Sequence, residues 1–308
     1  MWKYFKISKM QNKPPIPFQG NKKLWKNEFI NIIKEMGEYD IYVDLFGGSG
    51  ILSHWVKHIF PSSTVIYNDF DKYEDRCKQI KETNEILARC REVCKDLKRK
   101  QQIDEEKTKE IKKIFKEYSN PDLLTLNGQL HYIKRIDKNF KSVDDFFKEK
   151  LYNNLNENGY KETDKYFEGL QIYSKDWHEL FEEITKENKD KKILFIMDPP
   201  YLYNDKSQYK NNYWLLNDSL KLFEIIAGYD SLLFSSDVSG FKELIDATNK
   251  YFKTNINYKY IYNRMNKINK PRKDYCLIFQ REKQEENNEE NNEENNEENN
   301  EEESEKEK

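Results

Sequence analysis

The sequence predicts an α/β fold with a mostly parallel sheet, on three observations. Residues 41–67 read as strand, glycine-rich turn, helix and strand, which is one βαβ unit. The same alternation resumes at residue 170 and continues to about 280. Between the two, 71–150 is charged, with well-spaced apolar residues and few turn signals before Pro121, so it reads as a helical insertion into the sheet.

Taken in order, the run at 41–45 (IYVDL) is short and apolar, as suits a strand covered on both faces, and Gly47-Gly48-Ser49-Gly50 stops it. A helix over 51–60 ends near Pro61, and a β-branched strand at 64–67 (TVIY) closes on Asn68-Asp69. The insertion should hold two or more helices, at roughly 71–100 and 104–118. Strands follow at 170–173, 192–197 and 231–235, with helices near 176–187, 217–227 and 240–249. Two longer strands, 251–262 and 274–280, joined by a basic loop at 263–273, make an antiparallel hairpin that finishes the sheet. Seven strands result, with the large insertion between the second and third.

Composition narrows the class. The chain has 308 residues, 35% of them charged, and a formal net charge of −3. That length suits one ordinary domain carrying a large insertion. The near-neutral total hides two opposed parts. Residues 285–308 are almost pure Glu and Asn, 13 acidic against two lysines for a net of −11, which leaves 51 basic and 43 acidic residues, a net of +8, over 1–284. Such a repeat cannot bury enough apolar surface to offset its ordering entropy, so a disordered tail is expected. The basic body admits a polyanionic partner. No apolar run approaches the roughly 20 residues needed to cross a bilayer, and residues 1–10 lack a signal peptide's apolar core, so the expectation is a soluble, cytoplasmic protein. Cys77, Cys90, Cys94 and Cys276 lack Cys-x-x-Cys spacing, and with only four histidines no metal site or disulfide framework is legible. Cys90 and Cys94, one helical turn apart, fit two reduced core thiols.

The sharpest chemical signal is Asp198-Pro199-Pro200-Tyr201, directly after an apolar strand. Ligands of open α/β sheets bind outside the carboxyl ends of the strands, which is where this turn falls. Two prolines lock it and leave carbonyls without neighbouring N–H groups to compete for them. Ending the strand is the plainer role for two prolines, and a four-residue motif in this position outweighs it. An acid, a rigid carbonyl and an aromatic face together suit an exocyclic amino group on a nucleobase, a poor nucleophile because its lone pair is delocalised. Accepting its two N–H bonds favours a pyramidal nitrogen and stabilises the charge that develops there, with Tyr201 stacking on the ring. Such a grip requires the base to leave the duplex.

The second signal is Asp44-Leu45-Phe46-Gly47-Gly48-Ser49-Gly50, where glycines let the backbone approach a ligand closely. Nicotinamide enzymes and P-loop proteins also use glycine turns, yet the G-x-G-x-x-G spacing is absent and no Gly-Lys-Ser/Thr follows. Asp69 stands some 20 residues past the glycines, where a ribose-binding acid belongs, although an exposed turn acid is the plainer reading of it alone.

These residues resemble the α class of DNA adenine-N6 methyltransferases, the Dam-type enzymes that use S-adenosylmethionine. The turn at Asp198 to Tyr201 is similar to the family's catalytic motif. Pro17-Phe18-Gln19-Gly20-Asn21-Lys22 resembles its opening motif, whose lysine, here Lys22, approaches the methionine end of the cofactor. The segment from Asp44 matches its Phe-x-Gly-x-Gly loop at Phe46, Gly48 and Gly50. Asn68-Asp69-Phe70-Asp71 resembles the acidic ribose motif, and Ser174-Lys175-Asp176-Trp177 the motif whose acid, here Asp176, holds the cofactor's adenine amino group. Residues 233–237 (LFSSD) resemble a Ser-Asn-containing strand, and 264–273, with Arg264, Lys267 and Arg272, the basic hairpin loop near DNA. The matches keep the family's order over 17–75 and 170–280.

The resemblance implies a seven-stranded Rossmann-like methyltransferase sheet. Residues 1–76 and 166–284 would form the catalytic, S-adenosylmethionine-binding domain, 77–165 the helical target-recognition insertion, and 285–308 the tail. The expected cofactor residues are Lys22, Asp44, Phe46, Gly48, Gly50, Asp69, Asp176 and Asp198, and the expected catalytic ones Asp198, Pro199, Pro200 and Tyr201. The insertion holds the densest basic stretch: Arg89, Arg91, Lys98, Arg99, Lys100, Lys107, Lys109, Lys112 and Lys113. Arg99, Lys100, Arg264, Lys267 and Arg272 are the expected DNA contacts. The implied reaction is methyl transfer to N6 of a flipped-out adenine in double-stranded DNA. Alternatives are N4 of cytosine or an RNA adenine, a non-catalytic DNA-binding relative, and a nicotinamide-dependent oxidoreductase that leaves the Asp-Pro-Pro-Tyr turn without a role. A partnered endonuclease leaves no mark in the sequence.

Overall fold

The structure, a computed structural model, describes residues 9–132, 140–162, 165–200, 214–237, 239–254, 256–265 and 272–281. After a 3-10 turn at Lys23–Trp25, the chain forms α1 (Lys26–Met36), β1 (Ile41–Asp44), α2 (Ile51–Ile59) and β2 (Thr64–Asn68). The insertion follows with α3 (Tyr73–Lys78), α4 (Ile80–Val93), α5 (Glu105–Lys116), α6 (Leu123–Leu130) and α7 (Val143–Phe146). The sheet then resumes through β3 (Leu170–Tyr173), α8 (Trp177–Glu187), β4 (Ile193–Met197), α9 (Leu216–Gly228), β5 (Asp230–Ser236), α10 (Phe241–Phe252), β6 (Lys259–Met265) and β7 (Arg272–Phe279).

All seven strands join one sheet in the order β3-β2-β1-β4-β5-β7-β6. Neighbours from β3 to β5 are parallel, and β7 pairs antiparallel with both β5 and β6. The chain steps outward from β1 through β2 to β3, then returns to set β4 against the other side of β1. Successive connections therefore leave the sheet in opposite directions from β1 and β4. A crevice opens between their carboxyl ends, the place where open α/β sheets hold ligands.

Side chains of the central strands alternate between two cores, as the period of two requires. Tyr42, Leu194, Ile196, Leu232 and Phe234 pack on one face with Trp25, Phe29 and Trp55 of the N-terminal helices. Val43, Phe195, Met197 and Leu233 pack on the other with Leu180, Leu222 and Ile245 of α8, α9 and α10. Burying one such side chain contributes roughly 1.5–3 kcal/mol. The insertion has a separate core that includes Ile86, Leu87, Cys90, Ile111, Phe115, Leu126 and Phe146. Cys90 and Cys94 are buried free thiols. Burial pushes both up, Cys90 to about 12 and Cys94 to about 11, so neither is a thiolate near neutral pH.

Three local expectations are corrected. The strand expected over 251–262 starts only at Lys259, because α10 continues through Tyr251 and Phe252. Asn249 closes the intervening loop: its amide donates to the Ile256 carbonyl at 2.8 Å and accepts from the Ile256 N–H at 2.7 Å. The helix expected over 71–100 breaks between Lys78 and Ile80 and ends at Val93, and α6 and α7 add to the two expected segments. Helix α1 falls outside the expected elements, although Phe29, Ile32, Ile33 and Met36 carry the i, i+3, i+4, i+7 spacing and are buried. The acidic tail at 285–308 lies outside the described residues. No helix among the described residues is long and apolar enough to cross a membrane.

Candidate active site

The glycine loop turns at the carboxyl end of β1. Asp44, the strand's last residue, is 1% exposed. Its Oδ2 accepts from the Ser53 hydroxyl at 2.7 Å, while its buried Oδ1 has no hydrogen-bond partner. Burial raises the Asp44 carboxyl to about 7, the Ser53 bond opposes the rise, and the neighbouring Asp198 adds to it. Gly48 and Gly50 take left-handed φ of +52° and +66°. Gly47 is needed for space: a Cβ there would stand 2.3 Å from the Tyr67 ring. The Tyr67 hydroxyl lies 2.8 Å from the Gly48 carbonyl and 3.0 Å from Asp69 Oδ1, and so ties the loop to the end of β2. Phe46, half-buried, packs its ring against Trp177 and Trp214 at 5.5 and 5.6 Å between centroids.

The two expected acids beyond the loop follow β2 and β3. Asn68 fastens them together: its amide nitrogen donates to the carbonyls of Leu45 and Lys175, both at 3.0 Å, and its oxygen accepts from Lys175 N–H at 3.1 Å. Asp69 is 3% exposed and turned toward α3, accepting from the N–H groups of Tyr73 at 2.7 Å and Glu74 at 2.9 Å. It thus serves the orphan donors of a helix start. Burial raises its pKa, while those two N–H bonds hold the rise back. Asp176 is exposed and caps α8, accepting from His178 N–H at 2.9 Å.

Asp198 comes directly after β4, on the other side of the crevice. Its neighbour Pro199 is buried and Pro200 half-buried. The Lys22 ammonium forms an ion pair with Asp198 Oδ2, with side-chain exposures of 11% and 22%. Lys22 also donates to the Gly20 carbonyl at 3.0 Å and lies 5.8 Å from the Phe234 ring centroid. The N-terminal strap that carries it is pinned to α3. Ile16 exchanges two bonds with the Tyr73 hydroxyl, at 3.2 and 2.7 Å, and Arg76 donates to the Pro17 carbonyl at 3.3 Å. Phe18 fills the space a Gly48 side chain would need. Lys22, Asp44, Phe46, Gly48, Gly50 and Asp198 therefore converge on the β1/β4 crevice, with Asp69 and Asp176 along its β2/β3 side. Tyr201 lies outside the described residues.

Several cations of the insertion's basic stretch are committed to ion pairs within it. Arg89 pairs bidentately with Glu117 at 2.6 and 2.7 Å, Lys107 with Asp96 at 3.2 Å, and Lys112 with Asp144 at 2.9 Å. Lys98, Arg99 and Lys100 have no ion-pair partner among the described residues and are exposed on one turn. Lys100 holds a left-handed φ of 66°, and its N–H donates to the Asn153 carbonyl at 2.7 Å. An open cleft of about 780 Å³ adjoins the turn, lined by Arg91, Lys95, Arg99, Asn153 and Asn156 among others. Arg264 and Arg272 lie on β6 and β7 at the end of the hairpin where the two strands are connected, with Arg264 paired in register with Lys273 and Met265 with Arg272. Lys267 lies outside the described residues.

Gly47, Ser53, Tyr67 and Arg76 also build the site, outside the residues expected for it. Only Gly47 carried a local signal, as a third glycine in the turn. Ser53 and Tyr67 act across the turn on Asp44 and Gly48, and Arg76 through Pro17 and Asp122, far from it in sequence.

Comparison with known proteins adds two findings. The model of the D12 class N6 adenine-specific DNA methyltransferase family matches residues 18–273. A protein of Haemophilus influenzae named "Putative methyltransferase" is 32% identical over 237 residues, covering 74% of this chain and 77% of that protein.

Proposed function

The chain belongs to the D12 class N6 adenine-specific DNA methyltransferase family, and from that premise we propose that it transfers a methyl group from S-adenosylmethionine to N6 of an adenine swung out of double-stranded DNA. One observation carries the reading: Asp198 and the glycine loop of Asp44 face each other across the β1/β4 crevice, so an acceptor for the amino group and a cradle for the methyl donor adjoin. Family membership leaves the oxidoreductase alternative without support.

The residues fit the cofactor on chemical grounds. Asp44 Oδ1 is a buried acceptor without a donor, suited to an ammonium group, and Lys22 supplies a cation for a carboxylate. Gly48 and Gly50 keep the loop's backbone open to close approach. Phe46, with Trp177 and Trp214 behind it, offers an aromatic wall, and Asp69 and Asp176 are the acids assigned to the ribose and the adenine amino group. When bound, the cofactor supplies a methyl group already activated by a positively charged sulfur, so alignment matters more than acid catalysis.

Asp198 and a carbonyl of the Pro199-Pro200 turn accept the two N–H bonds of the target amine. That favours a pyramidal nitrogen and stabilises its developing charge. Asp198 acts as acceptor rather than strong base, because the proton leaves readily once nitrogen is alkylated. Tyr201 stacks on the extruded base. Residues 77–165 serve as the target-recognition region, with Arg99 and Lys100 on phosphates, joined by Arg264, Lys267 and Arg272 of the hairpin.

The test is Asp198→Ala. Cofactor binding should persist by calorimetry while methylation of adenine-containing duplex disappears; normal methylation by this variant refutes the assignment. Modified-base sequencing of DNA from a methylation-free host expressing the chain reports both the base and its context.

A further inference from the structure

We propose that Lys22 is a switch between two anions: it holds Asp198 in the free protein and moves to the carboxylate of the bound cofactor, which releases Asp198 for the target amine. The inference rests on the S-adenosylmethionine reading above and concerns the order in which the site fills.

Lys22 is ion-paired to the same carboxylate that must accept the amine. A charge-assisted bond between ammonium and carboxylate is roughly twice as strong as a bond to a neutral donor. An adenine amino group is neutral, so it cannot readily displace Lys22. Both side chains are largely withdrawn from water, at 11% and 22% exposure, so salt screens the pair little. With Lys22 in place, Asp198 is a poor acceptor for a base.

Charge balance supplies the reason to move. Ionised, Asp44 and Asp198 put two negative charges beside the one ammonium of Lys22, and Asp44 Oδ1 has no donor. An amino-acid end arriving here carries one cation and one anion. Its ammonium satisfies Asp44 Oδ1, and its carboxylate offers Lys22 a second partner. Lys22 then has an anion other than Asp198 and no longer occupies Asp198 Oδ2, the oxygen it holds in the free protein. No bond is made or broken and no proton need move.

The scaffold permits the change. Ile16 and Pro17 are fastened to Tyr73 and Arg76, so the strap stays still while the four-carbon stem of Lys22 rotates. The Gly20 carbonyl at 3.0 Å and the Phe234 ring at 5.8 Å give the ammonium fixed support around the same pivot. The consequence is order: the methyl donor binds first, and the enzyme does not grip an adenine it cannot methylate.

Calorimetry on the full chain separates the possibilities with two probes, S-adenosylhomocysteine, which has the amino-acid end, and methylthioadenosine, which lacks it. Asp198→Asn removes the competitor for Lys22, so S-adenosylhomocysteine should bind severalfold tighter than to the wild type. Lys22→Met should weaken it about tenfold, in the range of a lost charge pair. Methylthioadenosine should stay within about twofold in all three proteins, by the same attribution of the change to the charged end. Melting curves check folding, and Asp198→Ser replaces Asp198→Asn if the latter is unfolded. The switch is overturned if the Asp198 variant binds S-adenosylhomocysteine equally or more weakly, or if Lys22→Met affects both probes alike. If the wild type binds neither probe, the cofactor reading itself falls; if it binds both and only the variant pattern fails, the switch alone falls.

Discussion

Asp44 ends β1 with 1% of its surface exposed, and burial lifts its carboxyl from the usual range to about 7. A raised folded-state pKa means that ionisation is resisted in the native protein alone. Asp44 therefore costs stability as pH rises from about 4 to 7, up to roughly 4 kcal/mol if the whole shift is expressed. His54 has the opposite sense. Its Nε2 accepts from Gln11 N–H at 2.8 Å, and its Nδ1 lies 2.8 Å from the Tyr166 carbonyl, which assigns the neutral ring with the proton on Nδ1. Burial pushes His54 down to about 4, so stability is lost as pH falls from about 6.5 to 4, by roughly 3 kcal/mol. The two windows overlap with opposite signs, so in urea melts over about pH 4–7 Asp44→Asn should make stability rise more steeply with pH and His54→Gln should make it fall; unchanged slopes would remove either assignment. At Gly47, an alanine Cβ meets the Tyr67 ring at 2.3 Å, whereas at Gly37 nothing lies within 4 Å and only a φ of +83° opposes it. Gly47→Ala should thus destabilise more, by an overpacking cost of about 1–3 kcal/mol, and should also weaken cofactor binding, while Gly37→Ala should leave binding alone. The glycines were legible as a turn. Which of them is needed for space was not, because Tyr67 comes from the next strand.

Between elements, the N-terminal strap, α3 and α6 meet at Arg76. Its guanidinium reaches Asp122 at 3.2 Å, the Thr125 hydroxyl at 2.9 Å and the Pro17 carbonyl at 3.3 Å. Asp122 also caps α6 by accepting from Thr125 N–H at 3.1 Å, and its side chain is 3% exposed. Arg76→Met leaves a buried carboxylate without its cation and should destabilise by about 3–5 kcal/mol. Asp122→Asn keeps the cap and should be milder; equal losses in denaturant melts would point to packing rather than charge. None of this is visible in sequence, where Arg76 is one cation among many. Periodicity has a limit of its own at 251–262. Tyr258, Tyr260 and Tyr262 alternate as a strand should, but no local feature separates Tyr251 and Phe252 from that pattern, and the helical registry of α10 claims them.

At the scale of the whole molecule, the opposed charges of the body and tail become a question of where cations remain available. Ion pairing inside the insertion takes up Arg89, Lys107 and Lys112; of the cations without an ion pair among the described residues, Lys98, Arg99 and Lys100 are adjacent on one exposed turn. Arg99→Ala and Lys100→Gly should each lower DNA affinity and reduce the salt slope of binding by about one, with cofactor affinity unchanged; Gly at 100 suits the left-handed backbone there. Slopes equal to wild type would place the phosphates elsewhere. The tail carries a net of −11 against a body of +8, and a competing polyanion in the same chain should temper non-specific binding. Removing 285–308 should then tighten binding to non-specific DNA at low salt in a filter or anisotropy assay. An unchanged affinity would dismiss that role.

Strand order along the chain, the βαβ start, the insertion and the Asp-Pro-Pro-Tyr and glycine turns were determined by sequence alone, because each depends on neighbours within a few residues and on periods of 2 and 3.6. What only the tertiary structure decided was which distant groups share a dielectric: Lys22 on Asp198, Tyr67 against Gly47, Asp69 turned to α3, and Asp44 left with an unsatisfied oxygen. Burial and pairing are properties of the packed crevice, and they set the charge state and competition at the site.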